Sequence, residues 1–393
     1  MEKAVWAGTH QGSFGAAAES MKMLAENTLS AKQVRRITTL IGEDRVAERR
    51  AQVTAFTKKT LVERTTPKPG VAPPPVGVLM LDNGTHQRRD HFGEPGRQTH
   101  WKQETGGLAL SMTSEVHERD PCPDFPAWLF DSDVVAEIAS LAQRRETPAN
   151  AGTQREATGE DESPLDPQGK AGFEWTPTLI SREVIASTEG TEIARHLEWV
   201  AWEHGITSAS RQAFVADGAP AIWAIHKQYF SQMTPILDLM HALSYAYRAA
   251  AVLDDDGLYP RWAEAIWQGR VHDVLPALQT HQQRLGLPPQ DASADDPRQR
   301  VARAITYYTN HQSRMNYPEY RRLGLPITSS LMESTIKQLS RRVKGTEKFW
   351  TKPHAEAILQ LRADFLSDSR PLHAFWKRWR QEITGSNRYR TQA

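Results

Sequence analysis

Apolar positions between Pro326 and Trp350 recur at a helical step. Met332, Ile336, Leu339 and Val343 lie four, three and four residues apart, the spacing of one buried helical stripe. Thr328, Ser329 and Ser330 offer N-cap hydroxyls ahead of it, and Gly345 suits its C-terminal end. Beside the stripe runs a charged rim of Glu333, Lys337, Arg341 and Lys344, which taken alone reads as a solvated salt-bridge face. Shorter apolar runs elsewhere have strand length. Val76 to Leu81 ends at Asp82 and the turn pair Asn83-Gly84; Ala213 to Ala216 ends at Asp217-Gly218; Pro235-Ile236-Leu237 leads into Asp238. Trp101 to Met112 reads as a further strand, or as a hairpin turning at Gly106-Gly107.

The remaining periodic segments are helical. Ser13 caps a run through Met21 and Leu24, and Ser30 to Gln33 fits a capping box. The turns after it carry Lys32, Arg35, Arg36 and Thr38 outward and Val34, Ile37 and Ile41 inward, ending at Gly42, with another helix from about Glu43. Asp131 to Arg145, Thr191 to His204, Trp223 to Phe230 and Leu239 to Leu253 follow, then several helices from Leu258 to Tyr308, broken by the polar loop Pro288 to Pro297. Pro67 to Pro75 is a stiff linker. Glu146 to Lys170 is polar, rich in Pro, Gly and Ser, and without periodicity, which predicts a loop. Strands interspersed with helices make the chain α/β.

Composition narrows the class. With 393 residues and 39% hydrophobic content the chain can build a sizeable core in two or three units, and a mean hydropathy of −0.59 predicts a soluble protein. One cysteine, Cys122, rules out a disulfide framework or a cysteine-based zinc finger. The opening MEKAVWAGTHQG has no signal-peptide core, and no run reaches the roughly 18 apolar residues of a membrane span. Cytoplasmic residence is the expectation. Net charge is only +1, but from Val301 onward 17 Lys and Arg face seven Asp and Glu. A basic end of that size favours a polyanionic partner.

Several stretches could carry chemistry. Two helices joined at Asn27 to Ser30, the second basic, fit either a DNA-reading helix-turn-helix or an ordinary helical hairpin. Asp254-Asp255-Asp256 lacks EF-hand spacing and reads as a solvated helix end. The tail Phe375-Trp376-Lys377-Arg378-Trp379-Arg380 either stacks on bases or docks Trp376 on the core and leaves its arginines wet. Asp82, Asp217 and Glu333 form the sharpest set. If the two strand ends and the helix meet, three carboxylates can hold two divalent cations about 3.5–4 Å apart. Hard oxygen ligands suit Mg²⁺.

ADG at 216–218, ILDLMH at 236–241, PITSSLMES…RRVKG…FW over 326–350 and AEAILQLRA at 355–363 resemble a bacterial insertion-sequence transposase. The similar group is the DDE transposases with a ribonuclease-H-like core, in the Kra-type branch related to Mutator elements. The resemblance spans most of the chain from Val76 to about Ser369. It implies a ribonuclease-H-like mixed sheet flanked by helices, with an α-helical insertion and an N-terminal helix-turn-helix-like region. It makes Asp82, Asp217 and Glu333 the catalytic, metal-binding triad, and Asp238 and His241 the auxiliary acid-x-x-His signature. Asn83 intervenes where relatives read Asp-Gly, Thr328-Ser329-Ser330 replaces Gly-Ser-Gly, and Trp101-Lys102-Gln103-Glu104 displaces the acid of a Trp-Lys-Glu block by one.

The implied organisation is a helical DNA-binding region at 1–68, a catalytic core at 69–254 and 317–370 interrupted by a helical insertion at 255–316, and a basic aromatic tail at 371–393. The implied activity is cleavage of phosphodiester bonds at element ends and joining of 3′-hydroxyls to target DNA, with two Mg²⁺ or Mn²⁺ ions. Partners would be double-stranded DNA, both terminal inverted repeats and target, and a second copy of the chain, with no membrane and a nucleoid-associated location in a bacterial cytoplasm. Lys32, Arg35, Arg36, Lys337, Arg341, Arg342, Lys344 and Lys348 are the expected DNA contacts. A catalytically impaired, DNA-binding remnant and a structure-specific two-metal nuclease are the alternatives.

Overall fold

A computed structural model describes residues 1–89, 100–146, 175–345 and 347–384. Its centre is one mixed sheet of six strands: β1 (Val76–Arg88), β2 (Trp101–Thr113), β3 (Thr178–Ser187), β4 (Arg211–Ala216), β5 (Thr234–Leu237) and the two-residue β6 (Phe349–Trp350). The order is β3-β2-β1-β4-β5, with β6 on the far end of β1. β1, β2 and β3 form an antiparallel meander, whereas β4, β5 and β6 run parallel to their neighbours. Parallel strands covered on both faces read as continuous apolar runs, and Val76 to Leu81 is buried at every position.

The helices, in chain order, are α1 (Glu2–His10), α2 (Phe14–Ala25), α3 (Ala31–Thr57), α4 (Leu61–Thr65), α5 (Ser132–Glu146), α6 (Gly190–Glu203), α7 (Pro220–Tyr229), α8 (Leu239–Ala250), α9 (Leu258–Trp267), α10 (Val271–Leu285), α11 (Pro297–His311), α12 (Tyr317–Arg322), α13 (Ser330–Val343), α14 (Lys352–Leu366) and α15 (Pro371–Thr384). One large core joins the sheet to the flanking helices and to the α9–α11 stretch. No described helix is long and apolar enough to cross a membrane. The expected loop at 146–170 lies, beyond Glu146, outside the described residues.

Four expectations change. First, β1 does not end at Asp82: it continues through Asn83-Gly84, which pair with Thr105 and Glu104 of β2, and the Asn83 amide oxygen accepts from Thr105 Oγ1 at 2.9 Å. Gly106-Gly107 likewise lie inside β2. Second, α3 is one helix of 27 residues that passes through Gly42. That glycine marks a contact instead of a stop, because a Cβ there would stand 2.7 Å from the Ala357 Cβ and carbonyl oxygen of α14. The predicted pair of short helices is therefore a short helix followed by a long one. Third, Thr38 faces inward, fully buried, its hydroxyl donating to Val34 O at 2.8 Å. Fourth, the capping box at Ser30 is present as expected, but at α13 the N-cap Ser329 makes no cap bond. Its hydroxyl is used elsewhere.

The first helices do not stand apart from the sheet. Arg45 Nε donates to Asp364 Oδ2 at 2.8 Å, and Arg49 Nη2 and Nη1 donate to Glu356 Oε1 at 2.8 Å and Gln360 Oε1 at 2.9 Å, so α3 is fastened along α14. In the tail, Leu372, Phe375 and Trp376 share a small core with Val5, Ile41 and Leu361, so Trp376 docks inward. Arg378 and Arg380 pair with Glu48 and Glu2.

Candidate metal centre

β1 and β4 pair side by side only as far as Met80 opposite Val215. Beyond that point β4 turns away through Asp217, while β1 continues through Asp82. Divergence of adjacent parallel strands opens a crevice at their C-terminal ends, where open sheets hold their chemistry. β5 ends one strand further on, at Leu237, and Asp238 follows it as the N-cap of α8.

α13 lies over this edge because Gly106, directly opposite Asp82, has no side chain. A Cβ at Gly106 would meet Ile336 Cδ1 at 2.7 Å and Leu339 Cδ1 at 3.0 Å. The apolar stripe of α13 thus presses on the β1–β2 hairpin, and Glu333, in its first turn, points toward the acids.

The tightest group that results is Asp238, His241 and Glu333, whose ligand atoms all lie within 4.8 Å of one another. Among the described residues it is the one set of three with that spacing. It differs from the expected triad. Glu333 belongs to both sets, whereas Asp82 and Asp217 stand beside the tight group and Asp238 and His241 stand in it. The five are still one electrostatic unit. Burial, then the Asp217 carboxylate, pushes the half-buried Asp82 up to about 7; Glu333 adds to the push, and the Asn83 N–H and His241 oppose it. His241 is raised to about 9: burial works against its charge, but Asp238 first and then Asp217 and Glu333 outweigh that.

Asp238 is the scaffold of the cluster. It is fully buried, yet its carboxyl is held below the ordinary range because donors to its oxygens and the charge of His241 outweigh desolvation. Oδ1 accepts from the N–H of Met240 at 2.7 Å and of His241 at 3.4 Å, the latter at the edge of bonding distance. Oδ2 accepts from the Ser329 N–H at 3.1 Å and from the Ser329 hydroxyl, and stands 3.4 Å from His241 Nδ1. A carboxylate has about four acceptor positions, so Asp238 is already engaged on both oxygens. It locks α8 to the start of α13 and sets His241. Asp217 Oδ1 accepts from Ala219 N at 3.1 Å, and the Asp217 carbonyl accepts from the Tyr307 hydroxyl of α11 at 3.1 Å.

The donor set fits a hard divalent cation. Asp82, Asp217 and Glu333 supply carboxylate oxygens from three separate elements, and their mutual repulsion is what a cation between them would relieve. The set with ligand spacing, Asp238, His241 and Glu333, can hold a metal ion. Ser329 and Tyr307 were not singled out from the sequence. A serine ahead of a helix reads as its cap, and nothing local marks one as serving a distant aspartate, or a tyrosine as holding a distant carbonyl.

The expected DNA contacts divide. Lys32, Arg35, Arg36, Lys337 and Arg341 are exposed, and Lys344 and Lys348 are half-buried, the latter donating to Arg341 O at 3.2 Å. Arg342 is a correction. It is buried, donates from Nε to Gly8 O at 2.9 Å and lies over the rings of Phe14 and Trp350, which makes it a packing residue between α13 and the first two helices.

No protein-family model matches this chain, and comparison with curated proteins gives no match.

Proposed function

We propose that the chain is a DDE-type DNA transposase with a ribonuclease-H-like core, cutting phosphodiester bonds at the ends of its element and joining the freed 3′-hydroxyls to target DNA. What supports this reading is that Asp217 and Glu333, far from Asp82 in the chain, are near enough to act on its charge where β4 leaves β1. A meander on one side of β1 and parallel crossovers on the other are compatible with the implied core, and the α9–α11 stretch occupies the place of the implied insertion.

Two Mg²⁺ or Mn²⁺ ions held there would activate the attacking oxygen and stabilise the leaving one. The chain's own contribution is to fix three carboxylates on rigid elements. Asp238, through Ser329 and the N-terminus of α8, keeps α13 and therefore Glu333 in register with the strand ends. Tyr307 ties the insertion to the Asp217 turn. Joining two ends calls for at least two copies, acting on double-stranded DNA in the bacterial nucleoid.

The test is strand cleavage. Asp217→Ala should bind a duplex carrying the terminal repeats about as well as the parent and give no nicked or joined product in Mg²⁺. Cleavage at the parental rate would reject the assignment.

A further inference from the structure

α3 enters the core as a fixture. Buried ion pairs at Arg45 and Arg49 and the close contact at Gly42 lock it to α14, and Val34 and Thr38 pack around Gly8 of α1. The start of α14 is in turn tied to the far end of β1. Gln87 and Arg88 pair with Phe349 and Trp350, and Arg89 N donates to Trp350 O at 2.9 Å. Trp350 Nε1 donates to Val343 O at 2.8 Å, closing the circuit to the end of α13. Four elements therefore meet rigidly at one end of β1.

Several of their outward side chains are basic. Arg35 and Arg36 of α3 and Arg89 after β1 are exposed, and His354 of α14 is half-buried. His354 is held below its ordinary value by burial first and then, against the opposing pull of Glu43, by the charges of Arg89 and Arg35. These residues are therefore near one another. Lys337 and Arg341 are exposed on α13, which runs from the turn of Glu333 to Val343, bonded there to the Trp350 that pairs with Arg88. Glu43, also exposed, is a carboxylate within reach of His354.

We infer that the basic face of α3, Arg89 and the exposed face of α13 form one continuous strip that grips the backbone of a single DNA duplex leading away from the acid cluster. The inference rests on the transposase reading for the identity of the polyanion and adds the path it takes. Seven residue steps, along β1 to its end at Arg88 and one beyond, separate Asp82 from Arg89, about 23 Å at roughly 3.3 Å per residue, or about seven base pairs at roughly 3.4 Å each. Because α3 is fastened to the core, the segment it touches stands at a fixed distance from the cut.

The experiment is fluorescence anisotropy with the full chain and a labelled 30-base-pair duplex of arbitrary sequence, over a series of salt concentrations. Each neutralised phosphate contributes about 0.9 to the log–log salt slope. Arg35→Glu with Arg89→Glu should lower the slope by roughly two and weaken binding at least about tenfold at low salt. Arg284→Glu, exposed at the end of α10, changes the net charge by as much as either single change and should have little effect. Equal behaviour of the double variant and Arg284→Glu would overturn the strip, and so would an unchanged slope with circular dichroism showing both variants folded. Binding is read without cleavage, so the two ideas fail separately. A chain that loses binding in the double variant but never cuts element ends removes the transposase reading and leaves the strip; one that cuts while the double variant binds normally does the reverse.

Discussion

Two charge-rich seams, one between α3 and α14 and one at the strand ends, settle their charges in opposite ways. Along α3 and α14, carboxylates face guanidinium groups. Glu356 meets Arg49, the N–H and hydroxyl of Thr188 and the Ser187 hydroxyl, and is lowered even though burial pushes it up. Asp364 meets Arg45 and Gln360, and there burial still wins and raises it. Around the strand ends, carboxylates face one another. Asp82 is raised both by burial and by Asp217, and the one neighbouring base, His241, is already committed to Asp238. Where the chain supplies its own counterions the result is a fastening. Where carboxylates raise one another instead, as Asp217 and Glu333 raise Asp82, the result is a candidate place for a cation from outside.

The largest expected effect breaks the fastening. Arg49→Ala leaves Glu356 buried without its cation and should destabilise the fold by about 3–5 kcal/mol. Replacing both partners with apolar residues of similar size, Arg49→Met with Glu356→Leu, should recover most of that. Chemical denaturation of the three proteins checks it. If the single variant is as stable as the double one, the seam is not the fastening described here.

The acid cluster predicts the reverse sign. Asp82 is raised on folding, so it contributes full stability below its unfolded value and that contribution is lost as pH rises from about 4 toward 7. In the absence of divalent cations, Asp82→Asn should therefore be more stable than the parent at pH 8, by on the order of 1–3 kcal/mol, and the gain should vanish below about pH 4, near the reference value of an aspartate. Adding Mg²⁺ at pH 8 should raise the parent's Tm by mass action and leave that of Asp82→Asn nearly unmoved. Thermal melts at the two pH values, with and without Mg²⁺, decide between this arrangement and an ordinary surface aspartate.

The same contrast explains what could be read from the chain beforehand. Strand-length apolar runs, helical steps and the capping box at Ser30 are local signals, and each is present in the structure within a few residues. Non-local packing overrode the others. Gly42 reads as a helix stop, but Ala357, more than 300 positions away, needs its missing Cβ. Asn83-Gly84 reads as a turn, but Thr105 and Glu104 of the partner strand hold it extended. Arg342 reads as a DNA contact, but Phe14 and Trp350 enclose it. The acids Asp82, Asp217, Asp238 and Glu333 were visible as strand or helix positions, whereas the bond that Ser329 gives Asp238 depends on how β5 sits against the start of α13, and no local spacing encodes that.

The smallest effects sharpen the comparison most, because they remove the same group from each seam. Ser187→Ala deletes one hydroxyl donor from Glu356, which keeps Arg49 and both Thr188 donors; the loss should be about 0.5–1 kcal/mol. Ser329→Ala deletes one hydroxyl donor from Asp238, whose remaining partners are backbone N–H groups and His241. Its carboxylate has no arginine to fall back on, so the loss should be larger, about 1.5–2 kcal/mol, in the range of hydrogen bonds to charged groups. Asp238 should also shift upward, because one of the donors holding it down is gone, and His241, whose elevation rests on that still-ionised carboxylate, should keep or gain elevation. Denaturant midpoints give the first difference and the His241 titration by NMR gives the second. Equal losses for the two serines, with His241 lowered, would mean that Asp238 is as well compensated as Glu356, and the distinction between a seam held by arginines and one without them would not hold.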